Sequence, residues 1–191
     1  MVDLDAANTF FTILTLGANV AVLLLVVTAG ATRLGGHRGR RPSGHVVAIV
    51  GPRAHRMAVV VAVVATVGSL FYSEVKDLIP CDLCWYQRIC MYPLAAILAV
   101  GVLRRDQTVL WYAAPFVIVG APLALYHWLV ERVPSLSDST SCSIVAPCAV
   151  PYFEELGYIT LAFMDLSAFL LIGALLLVGR AHSQSTLEPR P

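Results

Sequence analysis

Charge is what this 191-residue chain lacks most, since Asp, Glu, Lys and Arg make up only 13% of it. Soluble domains carry roughly 25%, so this chain could not cover a water-facing surface. The same shortage excludes a disordered chain, a coiled coil and a nucleic-acid binder. Cysteine is scarce: five residues are too few for a disulfide scaffold of this size, yet enough for two pairs and a spare. The long apolar runs lack period-two alternation, which excludes a transmembrane barrel and leaves helices. What is abundant is apolar: 58% of the residues are hydrophobic, which points to a small polytopic membrane protein.

A helix needs about 20 predominantly apolar residues to cross the hydrocarbon. Five segments qualify: Phe10–Thr32, the short Met57–Tyr72, Trp85–Leu103, Thr108–Val130 and Tyr158–Gly179. The first does not read as a signal peptide, because its flank is acidic (Asp3, Asp5) and no small-residue cleavage site follows. Arginines set the expected orientation. Arg33, Arg38, Arg40, Arg41, Arg53, Arg56, Arg104, Arg105, Arg180 and Arg190 share one side with two acids, Asp106 and Glu188. The other side holds Lys76 and Arg132 against nine acids. Positive loops stay cytoplasmic, so the N-terminus is expected outside and the C-terminus inside. The two outer loops, about 73–84 and 131–157, hold four of the five cysteines. Disulfides persist on that side of a membrane, an independent agreement with a topology drawn from arginines alone.

Cys81-Asp-Leu-Cys84 is a C-x-x-C at the head of a helix, approached through Pro80. Cys84 is expected near the free N-terminal amides, where the helix dipole favours a thiolate. Half of a metal site and a structural disulfide are the rival readings; no His pair lies nearby in sequence to complete a metal site. Cys142 and Cys148 sit in a different setting. The stretch 134–141 is short of packing residues and is expected to be mobile, which would leave a Cys142–Cys148 disulfide open to an external thiolate or acting as a loop staple. Two cysteine pairs on one face suggest a relay of thiol–disulfide exchanges.

The string Pro80-Cys-Asp-Leu-Cys-Trp-Tyr-Gln-Arg88, followed by Met91-Tyr92-Pro93, resembles the disulfide-bond formation protein B (DsbB) family, especially its BdbC-type branch. Tyr126-His127, the second cysteine pair and Gly157-Tyr-Ile-Thr160 extend the resemblance over roughly residues 57–179. It implies an all-α membrane protein with a four-helix transmembrane bundle core (57–180). To this the chain adds an extra N-terminal helix with a basic loop (1–56) and a cytoplasmic tail (181–191). It implies a membrane thiol–disulfide oxidoreductase of a bacterial cell membrane. Such an enzyme reoxidises an extracytoplasmic thioredoxin-like (DsbA-like) dithiol oxidase and passes the electrons to a quinone, menaquinone or ubiquinone. By the same resemblance Cys142 forms the mixed disulfide with the partner, Cys148 exchanges with Cys81, and Cys84 faces the quinone. No metal is expected. An oxidase of the vitamin K epoxide reductase type is disfavoured by cysteine order, because there the loop pair precedes the C-x-x-C. A non-catalytic subunit with structural disulfides is the rival from another class.

Three polar residues inside the spans bear on this reading. Arg88 lies one helical turn below Cys84 on the same face. By spacing alone it reads equally as a snorkelling arginine or as a ligand for a quinone carbonyl, and the resemblance favours the ligand. His127 near the outer end of the fourth span is expected at the other quinone oxygen or as a proton carrier. Asp165 is an intramembrane acid with two readings, a proton route or a protonated helix-to-helix contact. Cys90 reads as a small hydrophobe in the core.

Overall fold

The structure, a computed structural model, describes residues 4–34, 47–106, 108–137, 142 and 146–187. Arg38, Arg40 and Arg41 of the basic segment, residues 138–141 and 143–145 of the second outer loop, and Glu188 and Arg190 lie outside the described residues. Five helices are long and apolar enough to cross a membrane. They are α1 (Leu4–Leu34), α2 (Ala54–Leu70, within the continuous span Val47–Val75), α3 (Asp82–Arg104), α4 (Val109–Arg132) and α5 (Leu161–Leu187). No strand occurs among the described residues; one isolated bridge joins Glu155 and Ile159. The expected class, a four-helix core plus one N-terminal helix, is what the chain adopts.

Two boundaries differ from the sequence reading. The second span starts at Val47 rather than Met57, because Pro52 sits in a 3₁₀ turn (Gly51–Arg53) at a position where a missing N–H costs nothing. Arg53 and Arg56 then lie on helix that an apolar count discards. The last span starts at Leu161, not Tyr158. Leu156 and Gly157 take positive φ, and the Thr160 hydroxyl accepts from the Phe163 amide at 3.3 Å, which caps the helix.

Helices α2, α3, α4 and α5 pack around one core, with α1 laid against α5. Leu94, Leu98, Phe169, Ile172, Leu175 and Leu176 are fully buried at its centre. Cys90 packs among them, as expected for a free thiol that behaves as an apolar side chain. Close approach of α4 and α5 depends on Gly120: a Cβ there would come within 2.4 Å of the Phe169 ring. The antiparallel order brings the start of α1, the end of α2, the head of α3, the end of α4 and the start of α5 to one end of the bundle. Hydrogen bonds across that end confirm the grouping: Tyr72 to Asn8, Tyr152 to the Ile79 carbonyl, and Thr160 to Glu131.

Candidate functional site

The head of α3 organises the site. Cys81 has extended backbone (ψ 170°) and is the N-cap, and its Sγ accepts from the Cys84 amide at 3.2 Å. The sequence reading gave the free amides to Cys84; the structure gives them to Cys81. The reason is local: a cap residue lies outside helical φ/ψ, so its side chain folds back over the third amide, which here is that of Cys84. Cys81 is buried in a small cluster with Leu83, Val130, Ala146 and Cys148, against which Cys84 and Cys142 pack. Its thiol is held far down, at about 5. The side-chain hydrogen bond from Cys84 is the largest cause; the hydrogen bond and charge of His127 and the Cys84 amide add to it, and burial opposes them.

His127 is the second surprise. Its Nε2 lies 3.6 Å from Cys81 Sγ and 3.9 Å from Glu131 Oε1, and its Nδ1 lies 3.5 Å from Gln87 Oε1. Glu131 in turn accepts from the Thr160 hydroxyl at 2.6 Å. With Nδ1–H donating to Gln87, Nε2 is left to take a proton from Cys81. His127 thus stands beside Cys81 and does not line the cavity that holds Cys84 and Arg88, the place the sequence reading gave it. Cys81, Cys84 and His127 bring their ligand atoms within 4.8 Å of one another, a donor set suited to a soft divalent cation. Sequence reasoning sought a His pair near the C-x-x-C and missed a single His delivered by α4.

Cys84 and Arg88 also line a cavity of about 600 Å³ between α1, α2, α3 and α5. Its upper part also receives Gln87, Tyr152 and Asp165. The Arg88 guanidinium is held across the gap by α2: Nε donates to Ser69 Oγ at 3.0 Å and Nη2 to the Ser69 carbonyl at 3.1 Å. Its carbon stacks 5.2 Å from the Trp85 ring centroid. Ser69 was not singled out from the sequence; its only signal there is a hydroxyl in an apolar run. Asp165 Oδ2 and Gln87 Nε2 are buried with no hydrogen-bond partner among the described residues, so the cavity wall carries unspent polar capacity.

Cys142, Ala146, Cys148 and Ala149 of the segment between α4 and α5 pack against this end. Cys142 and Cys148 form a disulfide. Cys148 is buried and Cys142 is half-exposed. The start of the stretch expected to be mobile, Pro134–Ser137, forms a turn of helix. Arg132 ties the loop down through Glu154 Oε1 and the Gly157 carbonyl, both at 2.9 Å, and Trp128 donates to the Tyr158 carbonyl at 3.0 Å.

The family model described as "Disulfide bond formation protein DsbB" matches residues 52–179. Disulfide bond formation protein C of Bacillus subtilis is 44% identical over 113 residues, which cover 59% of this chain and 82% of its own. A probable disulfide formation protein C of Halalkalibacterium halodurans is 40% identical over 111 residues, 58% and 81% of the two chains. A probable disulfide formation protein of Coxiella burnetii is 37% identical over 118 residues, 61% and 80% of the two chains. No solved structure matches. A cysteine pair at a helix head, a disulfide packed beside it, five membrane-spanning helices and a family match over two thirds of the chain agree: the protein belongs to the DsbB family, multi-pass membrane oxidoreductases of disulfide bond formation.

Proposed function

We propose that the protein reoxidises an extracytoplasmic thioredoxin-like dithiol oxidase and delivers the electron pair to a quinone in the membrane. One observation carries this reading. Cys81 is buried beside the loop cysteine Cys148, and Cys84, which packs on the edge of that cluster, also lines the apolar cavity with Arg88. The arginine distribution supports placing the cysteine end outside the cytoplasm and the C-terminus inside.

In this reading a partner thiolate attacks Cys142 Sγ, the Cys142–Cys148 bond breaks, and the Cys148 thiolate leaves. The second partner thiol then frees Cys142 and leaves the partner oxidised. Cys148 attacks Cys81 of a closed Cys81–Cys84 bond and expels the Cys84 thiolate. Cys142 then reforms its bond with Cys148 and releases Cys81. These exchanges would leave the loop pair closed and the C-x-x-C pair free, an arrangement compatible with the Cys142–Cys148 bond and the free Cys81 and Cys84.

The cavity fits a quinone: Arg88 offers donors at its polar end, Gln87 Nε2 is unspent there, and the remaining wall is mostly apolar. A bound quinone supplies a two-electron, two-proton acceptor. Arg88 holds positive charge where negative charge develops, and His127 takes the proton of Cys81 as the Cys81–Cys84 bond closes.

The test is turnover of the purified protein with a reduced thioredoxin-like oxidase and quinone. Quinol should appear in a 1:1 ratio to dithiol consumed, and Cys84→Ala should abolish it. Normal turnover by Cys84→Ala overturns the assignment of the electron exit.

A further inference from the structure

The family match begins at residue 52, so α1 is an addition to the shared core. Its packing shows what the addition does. Asn8, Thr12 and Thr15 are buried and Asn19 is half-buried, at the spacing of one helical face. Lipid gives helices no hydrophobic drive to associate, so close packing and interhelical hydrogen bonds do the holding. Tyr72 Oη, in the second span just past α2, donates to Asn8 Oδ1 at 2.9 Å, and Asn19 Nδ2 donates to Ser167 Oγ of α5 at 3.0 Å. The Phe11 ring covers Gly68 of α2, where a Cβ would come within 2.8 Å of it. Helix α1 is therefore pinned to α2 near the cysteine end and to α5 further down.

Between and below these pins α1 stands off from α2 and encloses the cavity. Leu14, Gly17 and Ala18 line it opposite Val60, Val61 and Val64. At 1.5 Å per residue Val60 lies about 14 Å further down α2 than Ser69, which holds Arg88, and Ala18 about 10 Å further down α1 than Phe11, which covers Gly68; Asn19, next to Ala18, bonds Ser167, so Ala18 is level with the turn of α5 that follows Asp165. The unspent polar atoms, Gln87 Nε2 and Asp165 Oδ2, lie at or above the level of Ala18. Thr15 spends its hydroxyl on the Phe11 carbonyl at 2.8 Å and Ser167 on the Phe163 carbonyl at 2.9 Å, and the wall beside and below them, Val60, Val61, Ala168 and Leu171, is apolar. A cavity with a polar top and a long apolar shaft matches an amphipathic ligand with a polar ring and a hydrocarbon tail.

We infer that α1 is the wall of a tail channel: the prenyl tail of the quinone runs from Arg88 down between α1 and α2, past Gly17 and Ala18, toward the opposite leaflet. This rests on the quinone reading above and assigns α1 a part in it. Gly17 is the sensitive point. A side chain added there meets nothing within 4 Å, so it enters the shaft without disturbing the helix packing.

The experiment uses the full chain in lipid nanodiscs with dithiothreitol as electron donor and two acceptors, a long-tailed prenyl quinone and a tail-less quinone of the same ring. Gly17→Phe should raise the ratio of KM for the prenylated over the tail-less quinone about tenfold, equivalent to about 1.4 kcal/mol. Gly17→Leu should raise it less. Val20→Phe, on the same helix but 57% exposed and outside the cavity, should leave the ratio unchanged. A ratio that stays at the wild-type value in both Gly17 variants overturns the channel, as does an equal rise in Val20→Phe. A wild-type protein that reduces neither quinone refutes the quinone reading itself, and the two failures are thereby told apart.

Discussion

The capped position of Cys81 makes a titration prediction. An ordinary thiol titrates near about 8.5, and Cys81 is held at about 5. At pH 7 the first would be about 3% thiolate and the second about 99%. Because this is an acid whose pKa is depressed by folding, the anion persists above about 5 and is lost as pH falls through that value. Its contribution to stability is complete above the unfolded value of about 8.5 and fades between there and about 5. The largest cause is the side-chain hydrogen bond from Cys84, so the perturbation of choice alters that donor alone. In a Cys90→Ala background with the Cys142–Cys148 disulfide kept closed, Cys84→Ser retains a donor and Cys84→Ala removes it, leaving Cys81 as the single thiol. Ultraviolet thiolate absorbance followed against pH should give a midpoint well below the ordinary range for Cys84→Ser and a clearly higher one for Cys84→Ala. His127→Ala should raise the Cys84→Ser midpoint as well, by less. A Cys84→Ser midpoint at the ordinary thiol value would refute the argument that the N-cap site belongs to Cys81.

Three further perturbations follow from the packing. Ser69→Ala removes the hydroxyl that holds Arg88 Nε; losing a hydrogen bond to a charged group costs about 1.5 kcal/mol or more, so the KM for quinone should rise on the order of tenfold while thiol exchange with the partner is unchanged. Gly120→Ala drives a Cβ into the Phe169 ring and should cost about 1–3 kcal/mol of stability, read as a lowered midpoint in denaturant unfolding. Zinc added to the reduced protein should be captured by Cys81, Cys84 and His127 and stop turnover, with recovery on chelation; turnover indifferent to zinc would mean the three ligand atoms do not converge in solution.

Much of this architecture was legible in the chain. Apolar run length located all five spans, and the C-W-Y-Q-R string pointed to the family before any contact was seen. The errors share a cause. Hydropathy counts composition along one helix, so the second span was cut at Met57, where Arg53, Arg56 and Pro52 interrupt the apolar run without interrupting the helix. Nothing in a single-helix reading says which neighbour a polar side chain will find. Ser69 gains its role only because α2 packs on α3 at the level of Arg88, and His127 is drawn to Cys81 by the way α4 meets the head of α3. The sequence reading of Arg88 as one turn below Cys84 succeeded because both lie on one helix, where spacing alone fixes the face.

That contrast explains why a C-x-x-C at a helix head suits a membrane relay. As the cap, Cys81 is outside the helix and turns toward the loop that covers the bundle end, where Cys148 is buried beside it. Three residues on, Cys84 is in the first turn, and its side chain follows the helix face that continues to Arg88 and the cavity. Two intervening residues keep the sulfurs close to each other, and the change from extended to helical backbone between them lets Cys84 line the cavity as well as pack on the cluster that buries Cys81. Moving the cap by one residue would break this division: a cap at Asp82 would satisfy the amides with a carboxylate, leave Cys81 in the extended segment before it, and remove the amide that helps to hold its thiolate. In the proposed relay this capping geometry, together with the cysteine spacing, would let Cys81 receive electrons from the loop pair and Cys84 release them toward the cavity.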